Sequence, residues 1–165
     1  MARRKVSRPP RSPRRARAVA STRGGHRYDV IPIEGDSLLH GVNTQLEYAG
    51  QAVTAEGTLR AVHVTRKGTK LLGTLGGSAS SARDINDAGA IVGGSLIKGD
   101  DAFHAFLYED GVMHDLNDLI PSGGRWQLVQ ALGINARGDI VALGHQDGAD
   151  RVVLLKRRPV PSTAR

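Results

Sequence analysis

The sequence predicts an all-β fold, and three observations predict it. First, a pattern recurs without a gap: "DINDAGAIVGG" from Asp84 and "GINARGDIVAL" from Gly133 share Ile, Asn, two residues, Gly, one residue, Ile and Val. Second, related units follow one another at about forty to fifty residues, the size of one four-stranded propeller blade. Third, 19 of the 21 glycines are scattered through these units and no long apolar stripe of helical period survives between them, so short strands with tight corners win over helices. The architecture this implies is an antiparallel, β-propeller-like repeat array of about three four-stranded blades.

The chain opens on a segment of a different kind. Residues 1–27 hold ten Lys or Arg and no acid, whereas the remainder holds thirteen basic and sixteen acidic residues. The net charge of +7 therefore belongs to the tail. Its Arg, Pro and Ser content offers too little apolar surface to offset the entropy of ordering, and it is predicted to stay disordered. It lacks the apolar run of about seven to fifteen residues that a secretory signal needs, including behind the pair Arg14-Arg15. No stretch approaches the roughly twenty apolar residues of a membrane span. The absence of cysteine excludes disulfides, a thiolate nucleophile and Cys-ligated zinc.

Residues 28–156 form the predicted β domain, with copies near 28–75, 76–119 and 120–156, and 157–165 form a short disordered C-terminal tail. Each copy reads as two hairpins. In the first, Ile85 and then Ile91-Val92 flank a polar corner, with Gly89 placed for a left-handed residue. Asn86 and Asp87 favour such corners because their side chains bond nearby backbone. In the second, "HAFLYEDGVMHDL" turns at Glu109, Asp110 and Gly111. That block resembles "RAVHVTRKGTKLLGTL" from Arg60 if one extra residue is allowed, and "RVVLL" from Arg151 opens it once more. The copy at Gly41 to Asn43 is eroded and is expected to carry an insertion at Thr44 to Tyr48.

The candidate chemical groups mostly read as scaffold. Asp84, Asn86 and Asp87 fall out of calcium-loop register, and the next copy replaces the two acids with Gly133 and Ala136. A hairpin corner is expected there. His104 and His114 lie on two strands of one hairpin, where two imidazoles facing each other would begin a metal site; local bonding of His104 is the expectation. His26, His40, His63 and His145 have no third ligand at a useful spacing. Ser78, Ser80 and Ser81 sit in a Gly-rich run that lacks the Lys-Ser or Lys-Thr of a phosphate cradle, and an inter-blade loop is expected. Asp100-Asp101 and Glu109-Asp110 read as solvated pairs, and Trp126 as packing at the start of a strand. No catalytic, cofactor-binding or metal-ligating set is assigned, no cofactor is expected, and the prediction is a protein that is not an enzyme.

The stretch "LGTLGGSASSARDINDAGAIVGGS" followed by "HAFLYEDGVMHDL" resembles the HAF repeat, named for the triplet seen at His104, Ala105 and Phe106. The resemblance covers most of residues 28–156 and implies a bacterial, extracellular or cell-surface repeat protein of unassigned function. The tail's lack of an export signal leaves the cytoplasm open as well. Closed propellers usually have four to eight blades. Three blades therefore need completion, and "YDVIPI" from Tyr28 could supply the fourth strand of the last blade. Two chains would then close a six-bladed ring, making a homo-oligomer an expected partner. "RVVLL" would otherwise expose an edge, guarded by Lys156, Arg157, Arg158, Pro159 and Pro161.

The functional expectation is a noncatalytic binding or structural module contacting a glycan or another protein through one face of the array. The alternative is a nucleic-acid binder acting through the basic tail, in which "SPRR" from Ser12 resembles short minor-groove motifs. A solvated leader, arising from a misplaced start in a GC-rich reading frame, is the plainer account of that tail.

Overall fold

The structure is a computed structural model that describes Tyr28, Val30 and residues 37–159. The basic tail 1–27, the segment 160–165, and Asp29 and Ile31 to Ile33 of the expected closing strand lie outside the described residues. Tyr28 and Val30 belong to no strand.

Eleven strands form three antiparallel meanders in chain order. Sheet A comprises β1 (Ser37–Val42), β2 (Tyr48–Val53), β3 (Leu59–Thr65) and β4 (Gly68–Leu71). Sheet B comprises β5 (Gly76–Ile85), β6 (Ile91–Ile97), β7 (Phe103–Glu109) and β8 (Val112–Asp115). Sheet C has three strands among the described residues, β9 (Gln127–Ile134), β10 (Ile140–Gln146) and β11 (Ala149–Leu155). No sheet is closed on itself. The all-β expectation therefore holds, and the helical elements among the described residues are two short 3-10 turns, Leu116–Asp118 and Ser122–Gly124.

Sheet B lies between the other two, and its sequence shows why. Alternate residues of a strand face opposite sides. Ile91, Phe106 and Tyr108 pack toward sheet A with Ala49, Ala61 and Leu72. Their neighbours Val92, Ala105 and Leu107 pack toward sheet C with Leu128, Ile134 and Ile140. A strand buried on both faces needs apolar residues at both parities, which is why "AIVGG" and "HAFLY" read as continuous apolar runs. The first strand of each sheet packs across the sheet before it: β5 meets β1, β2 and β3, and β9 meets β5, β6 and β7.

Three details correct the sequence expectations. Thr44 to Tyr48 contain no insertion. Asn43 through Glu47 make the same corner as Asn86 through Ala90 and Asn135 through Asp139, because Leu46 adopts the left-handed conformation (φ 61°) that Gly89 and Gly138 supply elsewhere. The β3–β4 and β7–β8 corners are also equal in length, each closing around two residues at Thr65↔Gly68 and Glu109↔Val112. The residue allowed for there is not present, because Gly68 begins a strand where Gly111 completes a turn.

The third concerns the Gly-Ser run, which is part of β5 and not a loop. Ser80 of this run and Ser95, opposite it in β6, are buried and satisfy the backbone of neighbouring segments. Ser80 Oγ accepts from Ala61 N at 2.9 Å and donates to Gly73 O at 2.5 Å, and Ser95 Oγ accepts from Leu75 N at 2.8 Å. Trp126 likewise precedes β9 instead of starting it.

Candidate functional site

The feature shared by all three sheets is a row of corners along one end, joining β1 to β2, β5 to β6 and β9 to β10. In each corner the asparagine amide N–H meets a carbonyl four residues on, and the left-handed residue three positions on donates to the asparagine carbonyl. The asparagine side chain completes the turn. Asn86 Oδ1 accepts from Ala88 N and Ala90 N at 3.1 and 3.0 Å. Asn43 Oδ1 accepts from Gln45 N and Glu47 N, and Asn135 Oδ1 from Arg137 N and Asp139 N, at comparable distances. A residue whose short amide mimics a backbone group suits this position.

Two of the asparagine amides also link one sheet to the next, Asn43 Nδ2 in addition to its bond to Glu47 Oε2 of its own corner at 3.2 Å. Asn43 Nδ2 donates to Asn86 O at 3.2 Å, and Asn86 Nδ2 donates to Asn135 O at 3.1 Å. Asn135 ends the row, with its Nδ2 bonded to Asp139 Oδ2 of its own corner at 3.1 Å. The carboxylates flanking Asn86 reinforce these links. Asp84 Oδ2 accepts from Ile134 N of sheet C at 2.9 Å and Oδ1 from Ile85 N at 2.9 Å. Asp87 Oδ1 accepts from both Thr44 N and Thr44 Oγ1 of sheet A at 2.9 Å. Gly41 is required here because a Cβ at this position would stand 2.6 Å from Asp84 Cα.

Between the corners lies an open recess of about 340 Å³, lined by Val42 and Thr44 of sheet A, Ile85 and Asp87 of sheet B, and Ile134 and Ala136 of sheet C. Its apolar floor is the isoleucine-valine position of the shared pattern, and its rim is the variable residue after each asparagine. The expected hairpin corner is what the structure places at Asp84 to Asp87. Both acids bond to neighbouring sheets, and among the described residues no three His, Asp or Glu side chains gather as a metal-ligating group.

A second linkage explains the His-Ala-Phe block. His104 Nδ1 lies 2.5 Å from Asp115 Oδ2, both side chains being largely buried. Asp115 Oδ1 in turn accepts from Asn117 N at 2.8 Å, capping the 3-10 turn. Asn117 then clamps β9, donating to Leu128 O at 2.9 Å and accepting from Leu128 N at 2.7 Å. His114 stands opposite Leu107 and does not face His104, which corrects the two-histidine arrangement considered from sequence. The expected local bonding of His104 is present. Asp115 and Asn117 escaped sequence reasoning, although the run Asp-Leu-Asn after the second strand was the available signal.

Elsewhere, His63 Nε2 approaches Glu47 Oε2 at 3.3 Å and His145 Nδ1 approaches Asp150 Oδ1 at 3.1 Å. Burial, then the charge of Arg83, holds the His40 imidazole below its ordinary value. Hydrogen bonds from Asn135 and from Arg157 N hold the Asp139 carboxyl below the usual range, and bonds from Ser78 do the same for Asp100. The bonds from Arg157 N to Asp139 and from Ser78 N to Asp100 tie separate segments of the chain together. Trp126 lines an apolar groove of about 530 Å³ beside β11, with Ile120, Pro121, Leu128, Val153 and Leu155. Among the described residues no helix is long and apolar enough to cross a membrane. No family model, no curated protein and no solved structure matches this chain.

Proposed function

We propose that this chain is a noncatalytic β-repeat module, propeller-like in arrangement, that binds a glycan or protein through the recess end of its sheets. The observation that carries the reading is the use made of the polar groups. Asn43, Asn86, Asn135, Asp84 and Asp87 spend their bonds on holding neighbouring sheets together, and repeated units provide surface without dictating a reaction. The HAF-repeat resemblance points the same way and adds a bacterial, extracellular or cell-surface setting. The rim positions Thr44, Asp87 and Ala136 differ between sheets, as specificity positions on a common frame do.

The test is retention of the full chain on a panel of immobilised polysaccharides and proteins. Ala136→Lys, at an exposed rim position, is expected to abolish retention while leaving the urea midpoint unchanged. A hydrolytic or transfer activity abolished by Asp84→Asn would contradict the reading.

The charge of the first 27 residues favours a second reading, nucleic-acid binding through the tail. Ten cations with no acid would give an affinity that falls steeply with salt. Retention on a duplex-DNA column that disappears on removing residues 1–27 supports it, and retention unaffected by that removal eliminates it.

A further inference from the structure

We infer that the outward face of sheet C docks on the outward face of sheet A of a second copy of this chain, so that two chains close a ring of six sheets. The inference rests on the propeller-like reading above and adds the partner and the surface.

The sheets correspond position by position through their corner asparagines. Val92 and Leu107, paired across β6 and β7, pack from sheet B onto sheet C. Their counterparts in sheet C are Val141 and Leu154, paired across β10 and β11. Those two side chains are exposed, 39% and 57%, and exposed Val152 extends the patch. The face that sheet B uses to hold its successor is thus repeated on sheet C with no successor among the described residues.

Sheet A presents the complementary surface. Ile134, Ile140 and Leu155 of sheet C face sheet B. The same positions of sheet A are Val42, Tyr48 and Val64, and they lie on the side away from sheet B. Val42 and Leu71 on this side are 56% and 52% exposed. One outward face therefore has the character of a donor face in the existing junctions, and the other that of an acceptor face. Apolar surface of this extent on both ends favours association.

The asparagine row gives an independent pointer. Each corner amide donates to the carbonyl of the next corner, from Asn43 to Asn86 and from Asn86 to Asn135. Asn135, which ends the row, points its Nδ2 to Asp139 of its own corner. In the ring it would also donate to Asn43 O of the second copy, as Asn43 Nδ2 donates to Asn86 O while bonded to Glu47 of its own corner. Asn43 O accepts from Leu46 N, as Asn86 O accepts from Gly89 N while also receiving the Asn43 amide.

The contact is head to tail, and such contacts make rings where the rotation closes and filaments where it does not. Two copies supply six sheets, within the four to eight of closed propellers. A third copy would exceed that range.

Light scattering on the full chain at micromolar concentration is expected to give twice the monomer mass of 17.5 kDa. Val141→Lys with Leu154→Lys, and separately Val42→Lys with Leu71→Lys, are each expected to give monomers with an unchanged β circular dichroism spectrum. Mixing the two variants restores one good junction, so a fraction of dimer returns. A wild-type monomer overturns the proposal, as do a dimer indifferent to both variants, a mixture that stays monomeric, or a mass that climbs without limit as concentration rises. The propeller-like reading itself is tested separately by whether Asn86→Ala weakens the corner of sheet C together with its own, a result that does not depend on oligomeric state.

Discussion

The side chain of Asn86 bonds three backbone groups in two sheets, Ala88 N, Ala90 N and Asn135 O, while its main-chain carbonyl receives the Asn43 amide. It is 6% exposed, so water does not replace what is lost on truncation. Asn86→Ala is expected to lower unfolding free energy by about 1–3 kcal/mol, the cost of leaving buried donors unpaired. Asn135→Ala, at an exposed corner, should cost less, and urea titrations of the two variants give the comparison directly. Leu46 stands at φ 61° where its counterparts are glycine. A side chain in that region costs about 1–2 kcal/mol, against about 0.5–1 kcal/mol of extra chain entropy for glycine. Leu46→Gly is therefore expected to raise the melting temperature slightly, whereas Gly89→Ala, at φ 79°, should lower it. The same leucine hid the first corner from sequence reading, since a glycine was the signal being sought and the chain met the backbone requirement without one.

At the scale of elements, the linkages between sheets are polar at the ends and apolar between them. The His104, Asp115 and Asn117 chain carries β8 across to β9. Asp115→Ala and Asn117→Ala should not add, and a double-mutant cycle is expected to return a coupling of roughly 0.5–3 kcal/mol. Additive effects would mean that the two side chains act separately. The His40 imidazole is held below 6.5, its ordinary value. The folded chain then binds fewer protons than the unfolded chain in this range, so stability is full above the unfolded value and declines as pH falls through it. A urea series from about pH 8 down to about pH 5 should show that decline, reduced in His40→Gln. Strand identity and most corners were legible because period-two patterning and Asn, Asp and Gly placement are local. The β5 serines were not, because "GGSASS" has loop composition and becomes strand by pairing with β6, with Ser80 bonded to Ala61 of sheet A and Gly73 of the β4–β5 connection. Asp115 and Asn117 were missed for the same reason: their partners are distant in sequence.

For the whole molecule, three sheets share one mode of stacking, in which the corners act as a common strut and the apolar faces supply most of the burial. The repeated pattern made legible the number of units and the need of the last one for a fourth strand from elsewhere, but not the recess, which depends on three chain segments meeting. The central claim is that the asparagine corners are scaffold common to adjoining sheets and not parts of a reaction centre. Hydrogen exchange read by mass spectrometry on Asn86→Ala tests this most directly. The account predicts faster exchange both around Asn86 to Ala90 and around Asn135 to Asp139, where Asn135 O loses the Asn86 Nδ2 donor. Faster exchange confined to the β5–β6 corner, with the β9–β10 corner as protected as in the unaltered chain, would contradict it.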